Sequence, residues 1–122
     1  MNKNEEIIRD FVNTWPSHDV EKIVSYFTED GTYHNMMIHP VKGHADLRNF
    51  ISAFLKDWSE TEWEILNLAS SGSTIFAERI DSMNVGGKPV ALPCCGVFEM
   101  ENGKIKVWRD YFDMGTYTKA LA

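Results

Sequence analysis

Residues 74–113 decide the fold, and they read TIFAERIDSMNVGGKPVALPCCGVFEMENGKIKVWRDYFD. Apolar and polar residues alternate along most of this stretch, which is typical of β-strands with one buried face. The pairs Gly86-Gly87 and Asn102-Gly103 interrupt the alternation, and both favour two-residue hairpin turns because the central residues of such turns need a positive φ. We therefore predict three antiparallel strands, at Thr74–Asn84, Lys88–Met100 and Lys104–Asp113.

A fourth strand is predicted before these three, at Glu62–Ala69, with a break at Ser70-Ser71-Gly72-Ser73. Farther upstream the spacing of apolar residues becomes that of helices. The apolar faces of three predicted helices are Ile7, Ile8, Phe11, Val12 and Trp15, then Val20, Ile23, Val24 and Phe27, and then Leu47, Ile51, Phe54, Leu55 and Trp58. Pro16 is predicted to end the first helix and Asp19 to cap the second.

The remaining segments are predicted to be short or irregular. They are a turn at Glu29-Asp30-Gly31, a short strand at Thr32–Asn35, a loop at Met36–Gly43, and a tail at Met114–Ala122 that adds one helical turn or frays. Helices followed by an antiparallel meander indicate the α+β class. We expect one domain over residues 1–122, in which helices on the concave side of a curved, mostly antiparallel sheet form a cone with a deep pocket.

Composition narrows the possible partners. The chain has 12 Lys and Arg against 18 Asp and Glu, a net charge of −6, and no basic stripe, so nucleic acid and anionic membranes are not expected partners. Met1 to Asp10 is polar and lacks the apolar segment of a signal peptide, so a cytoplasmic location is expected. A chain this short with an internal pocket has a small core, and a homodimer interface is one way to recover buried area.

No metal site is expected. His34, His39 and His44 recur at intervals of five, which fits neither helix nor strand periodicity. Cys94 and Cys95 are neighbours with no zinc-type spacing.

Polar residues share strand faces with apolar ones at three places. Residues at i and i+2 face the same side of a strand, so Arg79 and Asp81 lie together with Met83. The same spacing groups Asp110 with Trp108 and Phe112, and Tyr33 with Asn35. The pattern has two interpretations: a polar site inside a pocket, or exposed charge pairs that contribute little.

The motifs resemble those of the limonene-1,2-epoxide hydrolase family. They are Tyr33-His34-Asn35-Met36, Glu78-Arg79-Ile80-Asp81, Gly96-Val97-Phe98, Gly103-Lys104-Ile105 and Trp108 to Asp113, and the likeness runs from about Val12 to Tyr117. The resemblance implies the curved-sheet fold that ketosteroid isomerases and nuclear transport factor 2-like proteins share. It also implies hydrolysis of a small apolar epoxide to a vicinal diol without a cofactor.

Carried over position by position, the family's catalytic triad is Asp81, Arg79 and Asp110, and its water is held by Tyr33 and Asn35. Epoxide opening needs one acid and one base, and two carboxylates in one apolar pocket resist double ionisation. We hypothesise that Asp81 is the base that acts on the water and that Asp110 is the acid. The expected substrate pocket comprises Phe54, Trp58, Met83, Leu92, Cys94 and Phe112, with Phe54 and Trp58 both on the third helix.

Two other functions remain open on the same fold. A ketosteroid isomerase-like proton shuttle needs one base and an oxyanion hole of hydroxyl donors, and Arg79 two residues from Asp81 argues against it. A non-catalytic binding module is the other, because fold alone does not determine function. Diol formation from a panel of epoxides separates both from a hydrolase.

Overall fold

The structure is a computed structural model that describes residues 2–36 and 38–122; Met1 and Met37 lie outside the described residues. The helices are α1 (Lys3–Thr14), α2 (Val20–Ser25), α3 (His44–Leu55) and α4 (Met114–Leu121), with a 3-10 turn at Trp15–Ser17. The strands are β1 (Phe27–Asn35), β2 (Val41–Lys42), β3 (Trp58–Ser71), β4 (Thr74–Val85), β5 (Lys88–Glu101) and β6 (Lys104–Phe112). The predicted α+β class is confirmed.

The described strands form one mixed sheet in the order β2-β1-β6-β5-β4-β3. Only β1 and β6 run parallel, and every other neighbouring pair is antiparallel. Both predicted hairpins are confirmed, because Val85 pairs with Lys88 and Glu101 pairs with Lys104. The turn residues between them have the positive φ that such turns need, at 57° and 87° for Gly86 and Gly87.

The core lies between the N-terminal helices and one face of this sheet. Trp15 stacks on Trp63 of β3 with ring centroids 4.3 Å apart, and Phe11 of α1 meets Trp108 of β6 edge to face at 5.1 Å. Aromatic pairs in these geometries contribute beyond the area that they bury. The helices therefore cover one end of the sheet's inner face. Within residues 2–36 and 38–122, every helix is too short or too polar to cross a lipid bilayer.

The turn predicted at Glu29-Asp30-Gly31 is wrong, because these residues lie inside β1. The register between β1 and β6 shifts between Phe27 and Thr32, so an irregular stretch of strand holds the residues that resemble a turn. Gly31 fits there because a Cβ would lie 2.9 Å from the Cβ of Phe27.

Four other features also differ from the prediction. Phe27 and Trp58, predicted on the apolar faces of helices, are the first residues of β1 and β3. An apolar residue at helical spacing from the preceding helix can also be the first buried residue of a strand that follows that helix. Periodicity alone does not distinguish these two cases. The described part of the predicted loop contains the two residues of β2, and the tail forms an eight-residue helix, capped by Asp113, instead of a single turn or a frayed end.

Candidate active site

Arg79 lies between two buried aspartates and donates hydrogen bonds to both. Its Nε and Nη2 contact Oδ1 and Oδ2 of Asp81 at 3.0 and 2.9 Å. Its Nη1 and Nη2 contact Oδ1 and Oδ2 of Asp110 at 3.1 and 2.8 Å. All four carboxylate oxygens thus accept hydrogen bonds from one guanidinium, a planar fork suited to bidentate contacts. We call Asp81, Arg79 and Asp110 the acidic triad.

Strand alternation and register bring the triad together. Arg79 and Asp81 are two residues apart on the inner face of β4, and Asp110 lies on the inner face of β6. Arg79 is fully buried, and both aspartates are 4% exposed. The Arg79 guanidinium also lies 4.9 Å from the Trp63 ring centroid, within cation–π range. The exposed ion pair that the sequence left open is therefore excluded.

The electrostatics of the triad follow from its burial. Burial acts to lower the pKa of Arg79, but the charges of Asp110 and Asp81 outweigh it and raise that pKa well above its usual value. Burial also raises the pKa of Asp81, although Arg79 opposes that rise. Arg79 thus stays charged, while burial shifts Asp81 in the direction of its protonated form.

Tyr33 and Asn35 lie next to Asp110 rather than next to Asp81. In the parallel pairing of β1 with β6, Tyr33 is level with Trp108, which means that the two are register partners on adjacent strands, and Asn35 is level with Asp110 in the same sense. The Tyr33 ring stacks on Trp108 with centroids 4.0 Å apart. Burial and then the charge of Asp110 raise the pKa of Tyr33 well above its usual value, so its hydroxyl keeps its proton. Trp108 donates from Nε1 to Oδ1 of Asp110 at 3.1 Å.

A small cavity of about 90 Å³ opens above the triad. Most of its wall is apolar, and the polar groups Tyr33, Asn35, Asp81 and Asp110 reach it. The other lining residues are Ile38, Phe54, Trp58, Trp63, Met83, Leu92, Phe112, Met114 and Tyr117.

Five of the six residues expected in the pocket line this cavity, but Cys94 does not. Cys94 lies level with Arg79 on β5, and its Sγ is within 4.8 Å of carboxylate oxygens of Asp81 and Asp110. It therefore packs beside the triad. Trp58, expected on the third helix, reaches the cavity from β3, where its ring stacks with Phe54 at 5.6 Å.

Four lining residues were missed by the sequence analysis. Trp63 is level with Asp81 in the β3–β4 pairing, so strand alternation alone would have placed it on the inner face. Ile38 lies in a loop, and Met114 and Tyr117 lie on α4, which the sequence predicted as a single turn or a frayed end. These three carry no pattern that points to a cavity.

The structure brings together three side chains of metal-ligand type, Asp81, Cys94 and Asp110. Their donor atoms are nevertheless unsuited to binding a metal ion. Arg79 already engages every carboxylate oxygen of the two aspartates. Burial raises the pKa of Cys94 far above its usual value, so the thiol is not poised as the thiolate that metals prefer.

Comparisons with known proteins agree with this geometry. Residues 2–122 match the family model described as limonene-1,2-epoxide hydrolase catalytic domain. Epoxide hydrolase EphG of Mycobacterium tuberculosis (strain ATCC 25618 / H37Rv) is 27% identical over 111 residues, covering 91% of this chain and 74% of that protein.

Solved structures give the same result for the fold. An LEH-like epoxide hydrolase from M. tuberculosis superposes with a TM-score of 0.85 and 25% identity, over 98% of this chain and 89% of that one. A nuclear transport factor 2-like protein of unknown function from Burkholderia pseudomallei K96243 has a TM-score of 0.90 at 17% identity, over 100% and 99% of the two chains, and shows the fold alone. The predicted cone fold is confirmed, and the chain belongs to the limonene-1,2-epoxide hydrolase family.

Proposed function

We propose that this protein hydrolyses a small apolar epoxide to a vicinal diol in one step, with the acidic triad as its catalytic group. The observation that carries the proposal is the Arg79 guanidinium hydrogen-bonded to both Asp81 and Asp110 at the floor of an apolar cavity. Family membership supports epoxide hydrolysis in general.

Charge balance favours one protonated and one ionised carboxyl group. One cation and two carboxylates carry a net charge of −1, and desolvation penalises that charge in a buried site. A single bound proton makes the triad neutral and leaves one acid and one base within the same hydrogen-bonded group. Epoxide hydrolysis needs this pair, because the water must lose a proton while the opening ring gains one.

We assign Asp110 as the base. Asn35 is level with Asp110 on the neighbouring strand, and Tyr33 lies against Trp108, so a water held by both would lie beside Asp110. Asp81 is on β4, with β5 between it and β6. Trp108 also donates a hydrogen bond to Asp110 at 3.1 Å, so Arg79 and Trp108 together fix the orientation of this carboxyl group beside the proposed water.

We assign Asp81 as the acid, which reverses the assignment made from sequence. Burial raises the pKa of Asp81 and so favours the protonated form that an acid requires. Met83, on the same strand face, and Leu92, level with Asp81 on β5, also line the cavity beside it. An epoxide that packs on this apolar wall would present its oxygen to Asp81.

The proposed step balances without any further reactant. The water oxygen bonds to one epoxide carbon as the bond from that carbon to the ring oxygen breaks. Asp110 takes a proton from the water, and Asp81 gives its proton to the ring oxygen. One proton must then pass from Asp110 back to Asp81 to restore the starting state. Only water is consumed, so we propose that no cofactor is required.

The first test is diol formation from a panel of limonene 1,2-epoxide, cyclohexene oxide and styrene oxide, measured by chiral gas chromatography. We expect turnover of at least one of them at neutral pH. The matched control is Glu78→Gln, which alters a carboxylate on β4 that is exposed and bonded to Asn67 rather than to the triad. Glu78→Gln should keep the wild-type rate. No diol from any epoxide would contradict the proposal and favour the isomerase or binding-module alternative.

A single-turnover reaction in water enriched in oxygen-18 tests the one-step mechanism. With enzyme in excess, we expect every diol molecule to carry one label, because the added oxygen comes directly from solvent. A covalent ester with either aspartate would instead give unlabelled diol in the first turnover, since the added oxygen would come from the enzyme. That result would overturn the one-step mechanism.

We also propose that two copies pair through the outer face of the sheet. Leu66 of β3, Phe76 of β4 and Tyr111 of β6 are 48%, 38% and 43% exposed. Large apolar side chains exposed on several strands of one sheet are a common feature of interfaces. Light scattering after gel filtration should give twice the chain mass of 14.0 kDa, and Phe76→Glu should shift it toward the monomer. A monomer at all concentrations would contradict the pairing.

A further inference from the structure

Arg79 reaches Asp110 by crossing over an intervening strand. Arg79 is on β4 and Asp110 is on β6, and β5 lies between them. Neighbouring strands are about 4.8 Å apart, so the side chains of Arg79 and Asp110 together span about 10 Å above the β5 backbone. Its contacts with Asp110 are nevertheless short, at 2.8 and 3.1 Å. Any side chain that β5 carried at the crossing point would meet the guanidinium.

The residue at that crossing point is Gly96. It is level with Asp110 in the β5–β6 pairing and with Ala77 in the β4–β5 pairing, and it is buried. A Cβ at this position would lie 2.6 Å from Nη1 of Arg79, 2.8 Å from Cε1 of Phe98 and 3.0 Å from Oδ1 of Asp110. Its φ is not in the left-handed region, so the position requires glycine for space alone.

The atoms around Gly96 have little freedom to move away. Arg79 is fully buried, makes four hydrogen bonds and lies 4.9 and 5.7 Å from the ring centroids of Trp63 and Trp108. Phe98 is also fully buried and stacks on Trp108 with centroids 5.2 Å apart. A close-packed interior does not absorb the displacement that a Cβ at position 96 would cause, but transmits it to the neighbouring side chains. An added methyl group would therefore push the guanidinium away from Asp110.

We propose that Gly96 is a positioning residue. Because it has no side chain, Arg79 can bridge Asp81 and Asp110, and the two carboxyl groups can then share one proton. This inference rests on the proposed function for its catalytic consequence, but the bridge itself can be tested without substrate. The ionisable groups that face the two aspartates are Arg79 from β4, Cys94 from β5 and Tyr33 from β1. Gly96 acts through Arg79.

The chain offers a matched control in Gly31. It is also a buried strand glycine, and its Cβ would lie 2.9 Å from the Cβ of Phe27 and 3.1 Å from the carbonyl oxygen of Ile105, without contact with the triad. Gly31→Ala and Gly96→Ala should both lower the melting temperature. Only Gly96→Ala should lower kcat, by about 100-fold, which a misplacement of roughly 1 Å can cause.

The deciding measurement is carbon-13 NMR of protein labelled at the aspartate carboxyl carbons, titrated over pH. We expect Gly96→Ala to shift the titration midpoints of the signals from Asp81 and Asp110, and Gly31→Ala to leave them in place. The variant Gly96→Ala with Phe98→Leu relieves the clash with the phenyl ring but keeps the methyl against Arg79, so it should show the same shift with a better retained fold.

Unchanged midpoints in both Gly96 variants would overturn the inference and leave Gly96 as a packing residue. A wild-type protein that hydrolyses no epoxide would instead contradict the proposed function, and the titration would still decide the role of Gly96. A loss of kcat in Gly31→Ala equal to that in Gly96→Ala would also count against a positioning role, because stability alone would then explain both.

Discussion

Arg79→Met is expected to lower the free energy of unfolding by about 3–5 kcal/mol at neutral pH, the usual effect of removing one partner from a buried ion pair. Methionine fills a similar volume but leaves Asp81 and Asp110, each 4% exposed, without a counter-charge. All four of their hydrogen bonds to the guanidinium are lost at once. Urea denaturation at pH 7.5 measures the loss, and hydrolysis should fall to background.

The loss should become smaller in acid. Burial already raises the pKa of Asp81, and removing Arg79 removes the largest effect that opposes this rise. A carboxyl group whose pKa is raised on folding contributes stability below its unfolded pKa and loses that contribution as pH rises through its folded pKa. The variant should therefore approach the wild type below about pH 4, where the buried carboxyl groups take up protons.

Arg109→Met is the matched control for this experiment. Arg109 also forms an ion pair, with Glu99, but their side chains are 29% and 44% exposed. Pairs of this kind are worth about 1 kcal/mol or less, so the control should unfold close to the wild type at both pH values. A loss below 1 kcal/mol for Arg79→Met at neutral pH, or one that grows in acid, would contradict the charge balance proposed for the triad.

The family resemblance identifies the three triad residues from the sequence, and local geometry explains how they come together. Arg79 and Asp81 share a face through strand alternation, and two-residue turns at Gly86-Gly87 and Asn102-Gly103 fix how β4, β5 and β6 pair. A one-residue slip in either hairpin would move Asp110 to the other face. Turn chemistry and alternation together therefore carry most of the information that brings Asp110 to Arg79.

The division of roles between the two aspartates could not be predicted in the same way. It depends on the parallel pairing of β1 with β6, which places Asn35 level with Asp110 and is a long-range contact without a connecting turn. The role proposed for Gly96 could not be predicted from local patterns either, because only the path of the Arg79 side chain across β5 explains why a side chain is excluded at that position. Local patterns group the residues that form the site, whereas the role that we propose for each of them rests on non-local register.

Asp110→Asn and Asp81→Asn are each expected to lower kcat by about 10²- to 10⁴-fold, the contribution of a general acid or base. The two losses should not add. With one aspartate replaced, the other faces Arg79 alone and becomes ionised, so Asp110→Asn also removes the proton from Asp81 near neutral pH. The double variant should therefore be little slower than Asp110→Asn, which already lacks both the base and the acidic proton. Glu78→Gln is again the control that should keep its rate.

Azide separates the two roles, because an anionic nucleophile needs no base to remove a proton. In a series of decreasing pH, azide should restore ring opening in Asp110→Asn as Asp81 takes up its proton, and give an azido alcohol detectable by mass spectrometry. It should not do so in Asp81→Asn, where the leaving oxygen still lacks an acid. Rescue of Asp81→Asn alone would restore the assignment made from sequence, with Asp81 as the base. Rescue of both would mean that azide attack needs no acid and that Arg79 alone stabilises the opening oxygen.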